Sequence, residues 1–275
     1  MIQNEQNPIA NDLVLIGGGH SHLILIMQFS KNTIKGTRIT LISDEIDIPY
    51  SGMIPGFIEG TYSWRESHID LYKLTQRLNI RFVNSKVIKI SSKNKEVYFN
   101  DRPTIKFDIL SINSGIQSNY NNIKGAKKYC VPVKPISRLA NNFFNKIKDT
   151  NTIAFIGGGA GAVELALALR KRYIIDKPHL KITIITGKNG LLSSFPKQTK
   201  QTSKNALKEV NIDIIENTEV VEVKHNKIIM SDKKTLNIDK CILSTNGMAP
   251  NWLKDSDIKL NNKGFIVVNN AFQTN

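Results

Sequence analysis

The sequence predicts an α/β fold made of two units of the same kind, and three observations carry that expectation. Leu13-Val14-Leu15-Ile16 runs into Gly17-Gly18-Gly19, and 140 positions later Ile153-Ala154-Phe155-Ile156 runs into Gly157-Gly158-Gly159. Each apolar run is followed by a segment with helical spacing and then by another apolar run, at 38–42 and at 181–185. The two blocks also end alike, in Asp108-Ile109-Leu110-Ser111-Ile112-Asn113-Ser114-Gly115 and Asp239-Lys240-Cys241-Ile242-Leu243-Ser244-Thr245-Asn246-Gly247. A strand, a glycine turn and a helix start are the setting in which a dinucleotide pyrophosphate sits on a helix N-terminus. Two such Rossmann-like units point to two nucleotides, a flavin and a nicotinamide.

The first unit opens with a strand over 13–16, a helix from about 20 to 31 and a strand over 38–42, a βαβ unit with a parallel crossover. Residues 43–64 include Pro49-Tyr50-Ser51-Gly52-Met53-Ile54-Pro55-Gly56, too rich in glycine and proline for one helix. Over 68–78, Ile69, Leu71, Leu74 and Leu78 recur at helical spacing. Short strands follow at 80–83, 87–90, 97–99 and 107–112, with a meander around the polar turn at 92–95. Residues 113–135, with Pro132 and Pro135, read as a connector. The second unit repeats the order: strand 153–156, helix 160–172, strand 181–185 and a helix near 197–209. Strands at 212–215, 219–223, 227–230 and 241–243 complete it.

At 275 residues the chain has room for two domains of about 100–150 residues, each with a core. Glycine and histidine break the apolar stretches within about ten residues, too short to span a bilayer. Residues 1–12 lack the basic-then-apolar layout of a signal peptide, so a cytoplasmic protein is expected. The net charge of +15, from 38 basic and 23 acidic residues, suits nucleic acid or an anionic membrane surface. Yet the lysines are scattered, and no basic stretch alternates with aromatics as a single-strand groove requires. Nucleic acid is therefore not expected as a partner, while peripheral membrane contact stays open. Cys130 and Cys241 form no C-x-x-C or C-x4-C pair, which argues against a dithiol relay and against cysteine-rich zinc. Electrons are expected to move through cofactors alone.

Gly17-Gly18-Gly19-His20-Ser21-His22, followed by the 49–56 motif, resembles the two-dinucleotide-binding flavoproteins of the pyridine nucleotide-disulfide oxidoreductase superfamily. Within them it looks like the NADH dehydrogenase-like branch often fused to selenide, water dikinase. The resemblance covers nearly the whole chain and implies an NAD(P)H domain inserted into an FAD domain. Residues 1–128 would begin the FAD domain, 129–245 would form the insertion, and 246–275 would return to the FAD domain. Relatives of this kind continue past a segment similar to 264–269 into a stretch ending Gly-Asp, whose Asp holds the flavin ribityl–phosphate region. This sequence stops at Asn275. It is expected to be C-terminally shortened, or to be completed by a partner chain or a homo-oligomer.

For FAD, the first cradle comprises Gly17, Gly18, Gly19, His20, Ser21 and His22. Gly17 and Gly19 suit a tight turn and close backbone approach to a pyrophosphate. His22 stands at the third fingerprint position, where a bulky side chain should loosen helix-on-strand packing. His20 and His22, two apart, do not share a helix face and have no carboxylate or cysteine at ligand spacing, so no metal is expected. They line the pyrophosphate or the flavin, or pack at the turn. An acid for the adenosine ribose falls on Ser43 or Asp44 by strand-end alignment, with Asp44 the better candidate. The resemblance places Tyr50, Ser51, Gly52 and Met53 near the isoalloxazine ring; the alternative is a buried connection with structural prolines. Gly115, Asn246 and Gly247, at the block ends, are further cofactor candidates.

The second turn, Gly157-Gly158-Gly159-Ala160-Gly161-Ala162, satisfies G-x-G-x-x-A and makes Gly157, Gly159, Ala160, Gly161 and Ala162 the cradle for NADPH or NADH. Glu164 falls in what reads as the first helical turn, where the dipole favours a carboxylate. The resemblance puts such a Glu near the nicotinamide, so it is the catalytic candidate. The following strand ends Thr186-Gly187-Lys188, with no acid for an NAD ribose. Lys188 can instead meet a 2′-phosphate, which tilts the choice toward NADPH. The expected activity is FAD-dependent NAD(P)H oxidation, with electrons passing to a small-molecule acceptor, quinone by family default. The alternative is a non-catalytic nucleotide-binding module that needs a partner chain.

Overall fold

A computed structural model describes residues 8–32, 34–137, 139, 147 and 149–274. The chain divides into two compact units. One takes Met1–Ile48, His68–Ile116 and Met248–Asn275; the other takes Pro49–Ser67 and Gln117–Gly247.

In the first unit, β1 (Asn11–Ile16) passes through the glycine turn into α1 (His20–Lys31) and returns as β2 (Thr37–Ser43). With β3 (Arg81–Asn84) and β4 (Ile109–Ile112) these strands form a parallel sheet in the order β3-β2-β1-β4. Side chains of a strand alternate between faces. Leu13 and Leu15 accordingly meet Leu23 and Ile26 of α1 on one side. Val14 and Ile16 meet the antiparallel meander of Val87–Ser91, Glu96–Phe99 and Ile105–Lys106 on the other. Burial on both faces is why β1 reads as an unbroken apolar run.

Ile258 closes the meander side of this core, and its neighbours fasten the segment that carries it. The Asp257 carboxylate accepts the N–H groups of Ser92 (2.5 Å) and Lys93 (3.3 Å) and the hydroxyl of Ser91 (3.1 Å). Led by the Ser92 N–H, these donors hold Asp257 down at about 2, below the usual carboxylate range. The helix expected over 68–78 is shorter, because His68–Asp70 is a strand and Asp70 then caps Leu71–Arg77 by accepting the Lys73 N–H at 2.8 Å.

The second unit contains β5 (Cys130–Pro132), β6 (Thr152–Ile156), α2 (Ala160–Tyr173), β7 (Lys181–Ile185), β8 (Ile212–Ile215) and β9 (Lys240–Leu243). These five strands form a parallel sheet in the order β5-β9-β6-β7-β8, beside an antiparallel meander of Val220–Lys224, Lys227–Met230 and Thr235–Asn237. The stretch expected to be only a connector thus supplies an edge strand. Three residues are too few to display a period, and Pro132 is tolerated because the strand lies at an edge. Segment 49–67 also folds here: Ile54 and Ile58 of helix Ile54–Glu59 are wholly buried in one core with Ala162, Val163, Ala166 and Leu169 of α2.

The same parallel register brings Cys130 opposite Cys241, with their sulfurs 3.3 Å apart. Local spacing rules miss a pair separated by 111 positions.

Candidate active site

The repeat seen in the sequence extends to individual hydrogen bonds. Gly17 donates its N–H to the Ile42 carbonyl at 2.8 Å, and Gly157 donates to Ile185 at 2.9 Å. Asn113 donates to Ile16 at 2.8 Å, and Ser244 donates to Ile156 at 2.8 Å. At the far end of the strands, the Asp108 carboxylate accepts the Asp12 N–H at 2.7 Å, and that of Asp239 accepts the Thr152 N–H at 2.9 Å. Gly17 (φ +93°) and Gly157 (φ +116°) need backbone that L side chains rarely adopt. A Cβ on either would run into a carbonyl oxygen, of Asn113 in one case and Ser244 in the other.

Around the first turn, a Cβ on Gly18 would lie 2.6 Å from the Leu71 side chain, and one on Gly19 would lie 2.5 Å from the Asn113 carboxamide. Asn113 therefore forms a polar wall against the start of α1. Gly19 caps α1 with no side-chain hydrogen bond, and no acid lies in the first turn. The leading N–H groups of such a helix have no intrahelical acceptor and favour an anion. His20 and Ser21 are exposed at that end, whereas His22 is buried. His22 Nδ1 is 2.7 Å from the Gly17 carbonyl and Nε2 is 2.8 Å from Ser111 Oγ. A carbonyl only accepts, so Nδ1 carries the proton and Nε2 accepts the Ser111 hydroxyl. Both ring nitrogens are thus engaged by protein, and burial pushes the imidazole below its usual value. Ser43 is buried, its hydroxyl accepting the Glu45 N–H at 3.1 Å, while Asp44 beside it is exposed. Gly115 is exposed and faces open space.

Around the second turn the glycines differ. A Cβ on Gly158 would lie 2.5 Å from Thr186 Oγ1, but one on Gly159 would meet nothing within 4 Å, and one on Gly161 would meet only Ser244 Oγ, at 3.8 Å. Gly159 caps α2, again with no side-chain bond and no acid in the first turn. Ala162 is wholly buried, Ala160 half-buried and Gly161 exposed. Because α2 starts at Ala160, Glu164 lies beyond the first turn, one step later than the sequence suggests. It is exposed and makes no ion pair among the described residues.

The loop after β7 is tied back to the glycine turn. The Leu192 N–H donates to the Gly158 carbonyl at 2.7 Å, and the Thr186 hydroxyl donates to the Gly190 carbonyl at 3.1 Å. Glu216 accepts the Leu191 N–H at 3.0 Å and pairs with Lys204 at 2.5 Å. The Lys204 ammonium, then that N–H, hold its carboxyl below the usual range. Lys188 is exposed on this loop and makes no ion pair among the described residues. The sequence offered no acid here, but a Cβ on Gly187 would lie 3.3 Å from the Glu219 side chain. Glu219 comes from beyond β8, so strand-end alignment could not find it.

Tyr50, Ser51, Gly52 and Met53 belong to segment 49–67, where Ser51–Met53 forms a 3-10 turn closed by the Met53 N–H on the Tyr50 carbonyl (2.8 Å). Asn246 and Gly247 follow β9 at the end of the second unit, with Asn246 exposed. Among the described residues, no group of three or more His, Cys, Asp or Glu side chains is placed to hold a metal, and no helix is long and apolar enough to cross a membrane.

A family profile described as pyridine nucleotide-disulphide oxidoreductase matches residues 11–275. The NADH dehydrogenase-like protein YutJ of Bacillus subtilis is 26% identical over 264 residues, which are 93% of this chain and 71% of that protein. A type II NADH:quinone oxidoreductase of Staphylococcus saprophyticus is 25% identical over 231 residues, covering 76% of this chain and 57% of that protein. NDH2 of Plasmodium falciparum, solved in complex with NADH, has the same fold at a TM-score of 0.78 and 20% identity, over 90% of this chain and 57% of that one. The chain thus spans little more than half the length of the latter two. With the profile running from β1 through both glycine turns, the chain belongs to the pyridine nucleotide-disulphide oxidoreductase family, the class of enzyme that its sequence resembles.

Proposed function

We propose that the chain is an FAD-dependent NAD(P)H oxidoreductase in which the first glycine turn holds FAD and the second holds NADH or NADPH. The observation that carries this reading is the contrast between Gly158 and Gly159. Gly158 is glycine because Thr186 fills its side-chain space; at Gly159 that space is open, beside helix N–H groups that no side chain caps. Room for close backbone approach next to unsatisfied donors fits a pyrophosphate. The first turn fits too, with uncapped donors on α1, the Asn113 carboxamide as a polar wall and exposed Asp44 at the end of β2.

When bound, FAD supplies an acceptor for the hydride of NAD(P)H and a donor to the next acceptor. The chain's own residues bind and orient. Gly17 and Gly19, with the N–H groups of His20 and Ser21, receive the first diphosphate, and Asp44 takes an adenosine ribose hydroxyl. Gly157, Gly159, Ala160, Gly161 and Ala162 receive the second, with Lys188 and Glu219 beside Gly187 at its ribose. Glu164 orients the nicotinamide. Gly115 completes the contacts of the first cradle, and Tyr50, Ser51, Gly52, Met53, Asn246 and Gly247 are further cofactor contacts. His22 braces the first turn from behind.

The type II NADH:quinone oxidoreductase among the relatives supports quinone as the acceptor. The test is anaerobic reduction of FAD-reconstituted protein. NADH or NADPH should bleach the flavin absorbance within the enzyme's turnover time, and a soluble quinone should restore it. A chain that takes up no FAD defeats the reading; a flavin that is reduced but not reoxidised by quinone defeats only the acceptor.

A further inference from the structure

The two thiols lie on strands β5 and β9, apart from the groups assigned to nucleotides. Parallel register pairs Cys130 directly with Cys241, so both side chains leave the sheet on one face. That face packs against Val223, Ile228 and Met230; Cys241 is wholly buried there and Cys130 is half-buried. Hydrogen-bonded strands run about 4.7–4.9 Å apart, inside the Cα separation of roughly 4.4–6.8 Å that a disulfide tolerates. With sulfurs already 3.3 Å apart, bridging needs side-chain movement alone.

We propose that Cys130 and Cys241 form a dithiol–disulfide site oxidised by low-molecular-weight disulfides. Cys130, reachable from solvent, gives up its proton and attacks one sulfur of the small disulfide RSSR. The S–S bond breaks, one RS⁻ leaves, and a mixed disulfide remains on Cys130. Cys241 then gives up its proton and attacks the Cys130 sulfur, and the second RS⁻ leaves. Two protein thiols are oxidised to one disulfide, while RSSR is reduced to two RSH that take up both protons.

Burial sets the order. Cys241 has no solvent access, and its hydrogen bond with Cys130, together with burial, pushes its thiol up. It therefore acts second, on a sulfur already delivered to it. Lys127, Lys128 and Lys240 neighbour the pair in sequence and suit an anionic oxidant such as oxidised glutathione.

The test uses the full chain, reduced, incubated with oxidised glutathione, alkylated and mapped by peptide mass spectrometry. Both titratable thiols should be lost together, with Cys130 and Cys241 joined within one chain and no glutathione retained. C241S should trap glutathione on Cys130, and C130S should leave Cys241 unmodified. Unreacted thiols, glutathione held stably on Cys130 of the unaltered chain, or bridges between chains would overturn the proposal. The map of the unaltered chain decides even if a variant fails to fold, and it needs no flavin, so its outcome is separate from that of the oxidoreductase test.

Discussion

His22 and Ser111 fill, as a hydrogen-bonded pair, the place that Ala162 and Ile242 fill in the second unit. His22 and Ala162 are the same helix position: their N–H groups reach Gly19 and Gly159 at 3.0 and 3.1 Å. Ser111 pairs with Leu15 of β1 as Ile242 pairs with Phe155 of β6. A large helix residue over a small strand residue replaces a small one over a large one. The packing that a bulky third fingerprint residue should have loosened is instead closed, with His22 only 3% exposed.

A swap tests this complementarity. His22→Ala strands the half-buried Gly17 carbonyl and Ser111 hydroxyl, at a cost of about 1–3 kcal/mol. Ser111→Ile overpacks against the imidazole by about 1–3 kcal/mol. The double variant rebuilds the arrangement of the second unit, and urea unfolding should show it more stable than the sum of the two losses by about 1 kcal/mol or more. Strict additivity would mean that the two positions are independent.

Acid should weaken the fold through His22. Its folded imidazole stays neutral below the usual value, so the unfolded chain takes up the proton first. The contribution is complete above about pH 6.5 and is lost as pH falls toward the folded value. Between pH 7 and 5 the natural chain should therefore lose more stability than the double variant, which lacks the titrating ring. Parallel slopes would remove His22 as the cause.

The two ends of the second glycine turn should respond differently to the same substitution. Gly157→Ala forces a Cβ against the Ser244 carbonyl at positive φ and should cost at least about 1–2 kcal/mol of stability. Gly159→Ala meets nothing in the protein and should leave the melting temperature unchanged while weakening NAD(P)H binding tenfold or more, about 1.4 kcal/mol. Unimpaired binding by Gly159→Ala would mean that the open space serves no ligand.

Nucleotide choice should turn on the rim of Gly187. Lys188→Ala should lower the preference for NADPH over NADH, and Glu219→Gln should raise it, because one charge attracts and the other repels a 2′-phosphate. Ratios of kcat/KM for the two nucleotides check both signs. Equal ratios in all three proteins would place the ribose elsewhere.

Asp257 should govern resistance to acid where the C-terminal segment meets the meander of the first unit. Its carboxyl is held at about 2 by the Ser92 and Lys93 N–H groups, so its contribution is complete above the usual carboxylate range and is lost as pH falls toward 2. Asp257→Asn should expose 256–274 to proteolysis at neutral pH and flatten the acid limb of the stability curve. A protease-resistant variant would show that Ile258 alone secures the segment.

What the sequence disclosed was local. Both glycine turns, the helices after them and the central strands lie within stretches of about a dozen residues, where period and turn chemistry are readable. The partners of those elements were not readable. Nothing near Ile54 and Ile58 says that they pack against α2, and nothing near Cys130 says that it starts a strand beside Cys241. Glu219 reaches Gly187 only because β7 and β8 run side by side. The role of His22 stayed open between lining a cofactor and packing at the turn for the same reason: its Ser111 partner is 89 positions away.

The division of the chain has a consequence for its synthesis. The polypeptide passes between units after Ile48, Ser67, Ile116 and Gly247. On the ribosome, the unit that begins at Pro49 has all its residues once Gly247 has emerged, while the one that begins first must wait for Trp252, Asp257 and Ile258 to seal its meander. The earlier-started half is thus the later to mature, and until then its half-made interior is what the cell's chaperones would meet.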